Sequence, residues 1–192
     1  MTLYNVTGWG KGKTTSAIGT SVRALANEEK VLFVQFLKDG NDGGLRYLDY
    51  FNKDFTHIYQ GTKGFNIEDC SHFWLRVRQA IKNIKPNLVI LDEMNVALDN
   101  NLLGKTFEEL IEEIKELAKD RDVYITGRIN NHYKRHKMFE ISDIATNCYC
   151  EVHNYNARCI ECDKEYPRDF TFCPVCGRKL VQKDKAKKGR EY

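Results

Sequence analysis

A glycine-rich loop between a short β-prone segment and an amphipathic helix constrains the fold of this chain more than any other feature. The loop runs Gly8-Trp9-Gly10-Lys11-Gly12-Lys13-Thr14 and fits the pattern G-x-x-x-x-G-K-[ST], except that Thr7 stands in place of the first glycine. Glycines let the backbone curl until several N–H groups point inward, and the helix N-terminus adds positive charge. Lys13 supplies a full charge, and the Thr14 hydroxyl suits Mg²⁺. The loop therefore predicts a site for the phosphates of a nucleoside triphosphate.

Short apolar segments alternate with amphipathic helical segments over most of the chain. The clearest predicted strands are Val31–Phe36, Leu88–Leu91 and Val123–Thr126. Continuous apolar strands that alternate with helices indicate a parallel sheet covered on both faces. The prediction is an α/β fold of the P-loop NTPase (RecA-like) type, with a mostly parallel sheet, helices on both faces and a small C-terminal zinc ribbon.

Local signals place two helix starts and one loop. Asn66 is a predicted N-cap, and Thr106 with Glu109 forms a capping box. The composition of residues Gly40–Gly44, Gly-Asn-Asp-Gly-Gly, predicts a loop.

Acidic and basic residues follow two of the predicted strands. Asp92 and Glu93 come directly after Leu88–Leu91, and Gly127-Arg128 follows Val123–Thr126. Parallel sheets bind ligands at the carboxyl ends of their strands. We therefore expect Asp92, Glu93 and Thr14 to hold Mg²⁺, directly or through water.

Four of the seven cysteines form two C-x-x-C pairs, Cys159/Cys162 and Cys173/Cys176, separated by ten residues. This spacing predicts a closed, structural four-cysteine Zn²⁺ site, with iron in a rubredoxin-like site as the alternative. Cys148 and Cys150 are not expected to be ligands. The predicted divisions are a nucleotide-binding domain over 1–154, a zinc ribbon over 155–180 and a basic tail over 181–192.

The formal net charge of +3 is unevenly distributed. Residues 178–192 hold seven Lys/Arg and two Asp/Glu, a local balance of 7 − 2 = +5. A basic tail beside a ribbon favours contact with nucleic acid or protein, whereas a solvated terminus and a ribbon that is only a lid or strut are the alternatives. The sequence contains neither an apolar run long enough to span a membrane nor a signal peptide, so the expected location is the cytoplasm.

Several segments resemble one family, the ATP:corrinoid adenosyltransferases of the CobA/CobO/BtuR type. That family has the loop T-G-N-G-K-G-K-T-T, where this chain has T-G-W-G-K-G-K-T-T. Its V-Q-F-I-K, G-F, V-L-D-E and I-T-G-R segments are similar to Val34–Lys38, Gly64-Phe65, Val89–Glu93 and Tyr124–Arg128. The order and spacing agree over about residues 3 to 145.

The resemblance implies that a Co(I) corrinoid attacks the 5′ carbon of ATP and that the triphosphate leaves intact. It also implies that Glu93 and Thr14 hold Mg²⁺, that Phe65 helps to exclude the lower axial ligand of the corrinoid, and that the chain forms a homodimer. The implied catalytic residues are Lys13, Thr14, Glu93 and Phe65. The implied nucleotide-binding residues are Gly8, Trp9, Gly10, Lys11, Gly12, Lys13, Thr14, Thr15 and Arg128.

The chain also departs from the family pattern. Trp9 replaces an Asn in the loop, Leu45 stands where the family has Glu, and Ile67 occupies the position of a second aromatic residue. The C-terminal K-H-x-F…G-I-E-Y segment of the family is missing, with His153-Asn154-Tyr155 as at best a remnant.

Two other functions compete with adenosyl transfer at this stage. Deoxynucleoside kinases of the thymidine kinase type also combine a phosphate loop, a D-E element and a C-terminal zinc module. A P-loop ATPase or nucleic-acid-associated switch that has lost corrinoid binding is favoured by the ribbon and the basic tail. The V-Q-F, G-F and T-G-R elements favour the adenosyltransferase.

Overall fold

The computed structural model of the chain describes most of its residues, namely 1–61, 66–149, 157–162, 164–166 and 171–182.

The chain divides into two compact units, Met1–Tyr149 and Cys150–Tyr192. The domain boundary predicted between residues 154 and 155 lies outside the described residues, as does most of the predicted basic tail, so these divisions stay predictions. Among the described residues, none of the helices combines the length and the apolar character needed to cross a membrane.

The first unit is a six-stranded sheet flanked by helices. Its strands are β1 (Leu3–Thr7), β2 (Val31–Gln35), β3 (Phe55–Tyr59), β4 (Leu88–Asp92), β5 (Asp122–Thr126) and β6 (Ile144–Asn147). Its helices are α1 (Lys13–Ala26), α2 (Gly43–Phe51), α3 (Ile67–Ile84), α4 (Met94–Asp99), α5 (Phe107–Leu117) and α6 (His132–Ile141). All neighbouring strands are parallel, in the order β3-β2-β4-β5-β1-β6. The predicted α/β fold class is confirmed.

Two apolar clusters cover the two faces of this sheet. Leu32 and Val34 of β2 belong to one cluster, and Val31 and Phe33 belong to the other. Successive side chains of a strand point to opposite faces, which is why a continuous apolar strand fills both clusters. Parallel strands place all their carboxyl ends at one edge, and the glycine loop leaves β1 at that edge.

The predicted helix starts are confirmed, and the predicted loop is partly wrong. The Asn66 side chain accepts a hydrogen bond from Glu68 N, and Thr106 forms the predicted reciprocal capping box with Glu109. The Gly-rich segment after Gly40 instead opens α2 at Gly43, because the Asp42 carboxylate caps Gly44 N and Leu45 N. The capping carboxylate decides against the loop that the glycines indicate.

The second unit contains a small antiparallel sheet in the order β8-β7-β9, formed by β7 (Ala157–Cys159), β8 (Lys164–Tyr166) and β9 (Val181–Gln182). Its buried cluster consists of Cys159, Cys173 and Leu180. So few apolar groups cannot offset the conformational entropy of ordering the segment.

Candidate functional site

The glycine loop curls around the side chain of its own lysine. Gly8 and Gly12 both have φ of +103°, a left-handed conformation that favours glycine. Lys13 Nζ donates hydrogen bonds to Gly8 O at 2.9 Å and to Gly10 O at 2.6 Å. The ammonium group is therefore held inside the curve of the loop.

The residues that follow β6 brace the loop from outside. Cys148 N donates to Thr7 O and Gly10 N donates to Cys148 O, both at 2.8 Å. A Cβ atom at Gly8 would lie 2.2 Å from Asn147 Oδ1, so a larger residue there would force the loop or its neighbours to shift. The backbone of Cys148, a residue that the sequence placed outside the zinc site, thus supports the phosphate loop.

Asp92 is the centre of the hydrogen-bond network at the strand ends. Its carboxylate is fully buried, and each of its oxygens accepts two hydrogen bonds. Oδ1 accepts from Thr14 Oγ1 at 3.0 Å and from Thr126 Oγ1 at 2.6 Å. Oδ2 accepts from Gln35 Nε2 at 3.1 Å and from Lys38 Nζ at 2.6 Å. The four hydrogen bonds fix the orientation of the carboxylate.

Glu93 follows Asp92 in a left-handed conformation, with φ of +61°. Its N–H donates to Thr126 Oγ1 at 3.1 Å, so the same hydroxyl holds both acids. Burial raises the pKa of the Glu93 carboxyl above its ordinary value of 4.5, and the Asp92 charge raises it further. Lys38, Lys13 and Arg128 act in the opposite direction. Glu93 therefore lies within electrostatic reach of the phosphate loop.

Trp9 and Arg128 form a pair at the loop. The guanidinium carbon of Arg128 lies 4.7 Å from the centroid of the Trp9 ring, a cation–π contact. The Trp9 side chain is 43% exposed, which is unusual for so large an aromatic residue. The pair presents an aromatic surface and a cation beside the phosphate loop.

His57 extends the network behind Asp92. Its Nε2 lies 3.0 Å from Gln35 Oε1, and Gln35 uses its NH₂ group on Asp92. An amide oxygen only accepts, so His57 carries its proton on Nε2. Burial lowers the pKa of His57 below its ordinary value of 6.5, against the charges of Asp49, Asp42 and Asp92.

The four cysteines of the second unit converge as their spacing predicts. The sulfur atoms of Cys159, Cys162, Cys173 and Cys176 all lie within 4.8 Å of one another, and Cys159 Sγ is 3.5 Å from Cys176 Sγ. A disulfide requires about 2.05 Å. Tetrahedral Zn²⁺ with bonds of ~2.3 Å places its ligand sulfurs about 3.8 Å apart. The donor set therefore fits a four-coordinate metal rather than disulfide bonds.

One of these thiols is set for metal binding by its surroundings. Burial raises the pKa of Cys173, but hydrogen bonds from the Tyr166 hydroxyl and from the backbone of Cys176 and Val175 outweigh it and lower the pKa to about 6. The Tyr166 hydroxyl oxygen lies 3.3 Å from Cys173 Sγ. A thiolate, not a thiol, is the metal ligand.

A family model described as ATP:corrinoid adenosyltransferase BtuR/CobO/CobP matches residues 2–163. The chain belongs to this family.

Curated relatives carry the family name at modest identity. The corrinoid adenosyltransferase of Escherichia coli is 30% identical over 129 residues, or 64% of this chain and 65% of that protein. The corrinoid adenosyltransferase of Pseudomonas aeruginosa is 28% identical over 160 residues, or 78% of this chain and 75% of that protein. An uncharacterized protein of Nostoc is 26% identical over 170 residues, or 78% of this chain and 44% of that protein. The chain thus matches slightly less than two thirds of the length of the Escherichia coli relative.

The structure brings most of the predicted site residues of this adenosyltransferase-family chain to one edge of the sheet. Thr14 bonds to Asp92, and Glu93 lies within the fields of Lys13 and Arg128. Lys11 and Thr15 are exposed, in the loop and in the first turn of α1. Phe65 lies outside the described residues.

Several members of the site were not predicted from the sequence. Gln35, Lys38, Thr126 and His57 complete the Asp92 network, and none was named as a site residue. A Gln inside an otherwise apolar, fully buried strand was the available signal, because a buried amide needs polar partners. The V-Q-F-L-K segment carried both Gln35 and Lys38 as parts of the family resemblance.

Proposed function

We propose that the chain is an ATP:corrinoid adenosyltransferase, which transfers the 5′-deoxyadenosyl group of ATP to Co(I) of a corrinoid and releases triphosphate. One observation carries the proposal: three segments that resemble the family donate hydrogen bonds to the carboxylate of Asp92, which belongs to a fourth. The donors are Thr14, Gln35, Lys38 and Thr126, of which Gln35 and Lys38 lie in the same segment. The segments that resemble the family therefore form one assembled site and are not separate motifs.

The site residues act on the leaving group in this proposal. The Co(I) substrate supplies the electron pair of the new Co–C bond, and the C5′–O5′ bond breaks with its electron pair going to the triphosphate. Lys13, the loop N–H groups and the helix N-terminus neutralise the charge that develops there. Lys11 and Thr15 are further phosphate contacts, and Trp9 with Arg128 contacts the nucleotide.

The oxygen donors near the loop fit Mg²⁺. The single proton of the Thr14 hydroxyl is donated to Asp92, so its lone pairs are available to a cation. Thr14 and Glu93 supply the hard oxygen ligands that Mg²⁺ prefers, and the ion adds positive charge to the triphosphate. Asp92 already accepts four hydrogen bonds, so we assign it the orientation of Thr14 rather than direct coordination.

The second unit holds a structural Zn²⁺ through Cys159, Cys162, Cys173 and Cys176 in this proposal. The separations of the four sulfur atoms support it. The family resemblance supports a homodimer, and the basic charge of residues 178–192 supports contact with nucleic acid or protein. A cytoplasmic location stays a prediction from the sequence.

A spectroscopic assay tests the proposed transfer. The protein is incubated with ATP, Mg²⁺ and chemically reduced cobalamin, and the expected result is the spectrum of the Co–C product with one triphosphate per product. Lys13→Ala removes the charge that grips the leaving group, so its rate is expected to fall by at least about 100-fold. Lys119→Ala, a surface control, is expected to retain the wild-type rate. Formation of ADP or a nucleoside monophosphate without the Co–C product would contradict adenosyl transfer.

A further inference from the structure

Lys38 bridges two groups of the candidate site, the Thr14 hydroxyl and the Asp92 carboxylate. Its Nζ donates to Asp92 Oδ2 at 2.6 Å and to Thr14 Oγ1 at 3.3 Å. The Asp92 side chain is fully buried, and 31% of the Lys38 side chain is exposed. An ammonium group thus connects the hydroxyl of the phosphate loop to the buried acid of β4.

The backbone before Lys38 is shaped to deliver this side chain. Phe36 N donates to Asp92 O at 3.0 Å, which extends the pairing of β2 with β4 by one residue. Leu37 then adopts φ of +57°, a left-handed conformation that is uncommon for a side chain branched at Cγ, while its N–H donates to Gln60 Oε1. Strained residues persist where the surrounding structure holds them and often lie at functional sites.

The Thr14 hydroxyl oxygen is the atom at which Lys38 and a metal ion would meet. Its proton is donated to Asp92, so its two lone pairs remain as acceptors. One lone pair accepts from Lys38 Nζ and the other can face a cation, which places two positive charges close together. Lys38 can lose its 3.3 Å hydrogen bond to Thr14 Oγ1 and keep its 2.6 Å hydrogen bond to Asp92 Oδ2.

We propose that Lys38 is a positioning residue that shares Thr14 Oγ1 with Mg²⁺ and serves as a resident cation at the metal end of the nucleotide site. The inference rests on the nucleotide binding that the proposed function requires. In this arrangement Lys38 lets ATP bind without a metal ion. Its positive charge also reduces the increase in ATP affinity that Mg²⁺ brings. Removing Lys38 makes ATP binding more dependent on Mg²⁺.

Calorimetric titration with ATP tests this by comparing the dissociation constant in EDTA with that in saturating Mg²⁺. For Lys38→Met, we expect the ratio of these two constants to rise about tenfold over wild type, which corresponds to about 1.4 kcal/mol of added coupling. Lys38→Arg keeps the charge and is expected to leave the ratio within about threefold of wild type. The ratio is informative because a purely structural ion pair would change both constants alike.

Lys105→Met is the matched control. Lys105 also pairs with a carboxylate, that of Glu113, and its side chain is 33% exposed, close to the value for Lys38. For Lys105→Met, the ratio of the dissociation constant in EDTA to that in Mg²⁺ is expected to equal the wild-type ratio. If Lys38→Met does not fold, Lys38→Gln removes the charge but keeps a polar group beside Asp92, and the same rise is expected.

An unchanged ratio in folded Lys38→Met, or in folded Lys38→Gln, would overturn the role of Lys38 even if both constants had weakened. The same rise in Lys105→Met would also overturn it, since any lost lysine would then suffice. Absence of ATP binding by the wild-type chain would instead overturn the proposed function. The two failures are therefore distinguishable.

Discussion

The two candidate metal sites of this chain differ in how their ligands are brought together. Thr14 and Asp92 are 78 residues apart and meet only because the parallel sheet places the carboxyl ends of β1 and β4 on the same side. The four cysteines lie within residues 159–176 and need only two turns and a short sheet. Long-range packing builds the first site, and local spacing builds the second.

The two regions also differ in what stabilises them. The first unit buries two apolar clusters on opposite faces of a six-stranded sheet, so its fold does not depend on a ligand. The buried cluster of the second unit contains Leu180 and two of the predicted ligands. Metal binding there is expected to supply folding free energy, whereas at the phosphate loop it is expected only to add to nucleotide affinity.

Cys173→Ser gives the largest expected difference between the two regions. Loss of one buried thiolate should reduce bound zinc from about one ion per chain to near zero and unfold the second unit. Metal analysis measures the first effect, and amide NMR signals of residues 157–182 measure the second. The thermal transition of the first unit should be unchanged.

Cys148→Ser is the control for this variant, because Cys148 lies outside the four-sulfur cluster. It should retain zinc. Full zinc content in Cys173→Ser would refute the four-cysteine site, and iron in place of zinc in the wild-type chain would favour the rubredoxin-like alternative.

Gly8→Ala tests the claim that packing builds the phosphate site. A Cβ atom at Gly8 would lie 2.5 Å from Cys148 O as well as against Asn147, and φ there is +103°. We expect the free energy of unfolding to fall by about 2 kcal/mol, with weaker ATP binding, because the loop must move away from its brace. Urea unfolding followed by circular dichroism measures the change.

Gly19→Ala is the matched control, since a Cβ atom there would meet nothing within 4 Å. Gly19 lies inside α1, where Ala in place of Gly is expected to stabilise by about 0.5–1 kcal/mol. Equal stabilities of Gly8→Ala and Gly19→Ala would show that the brace does not constrain the loop.

The pH dependence of stability gives the smallest expected effect. Burial lowers the pKa of His57 in the folded chain, so the unfolded chain binds a proton first as the pH falls below 6.5. Stability from neutral His57 is complete above pH 6.5 and declines as the pH falls toward the lower folded pKa. His57→Gln removes this contribution, so its unfolding free energy should depend less steeply on pH between about 5 and 7.

The difference between the pH profiles of wild type and His57→Gln isolates the contribution of His57 to stability from that of Glu93. Glu93 has a raised pKa, and its contribution to stability has the opposite sign, falling as the pH rises past 4.5. Identical pH profiles of wild type and His57→Gln would place His57 outside the buried network.

The phosphate site shows how far the sequence predicts function and where it does not. Gly8–Thr14 and the cysteine pairs were predictable because their residues lie close in the chain and their chemistry depends on spacing. Asp92 was predictable as an acid at a strand end. Its partners Gln35, Lys38 and Thr126 were not assigned, because local periodicity does not encode which strands become neighbours.

The sequence alone determined the α/β alternation, the phosphate loop and the four-cysteine cluster, since hydrophobic period and short spacing are local properties. Only the tertiary structure decided the strand order β3-β2-β4-β5-β1-β6, and with it which donors surround Asp92. It also decided that Asn147 and Cys148 brace the loop. These outcomes depend on contacts between distant segments, whose energies exist only after the sheet has formed.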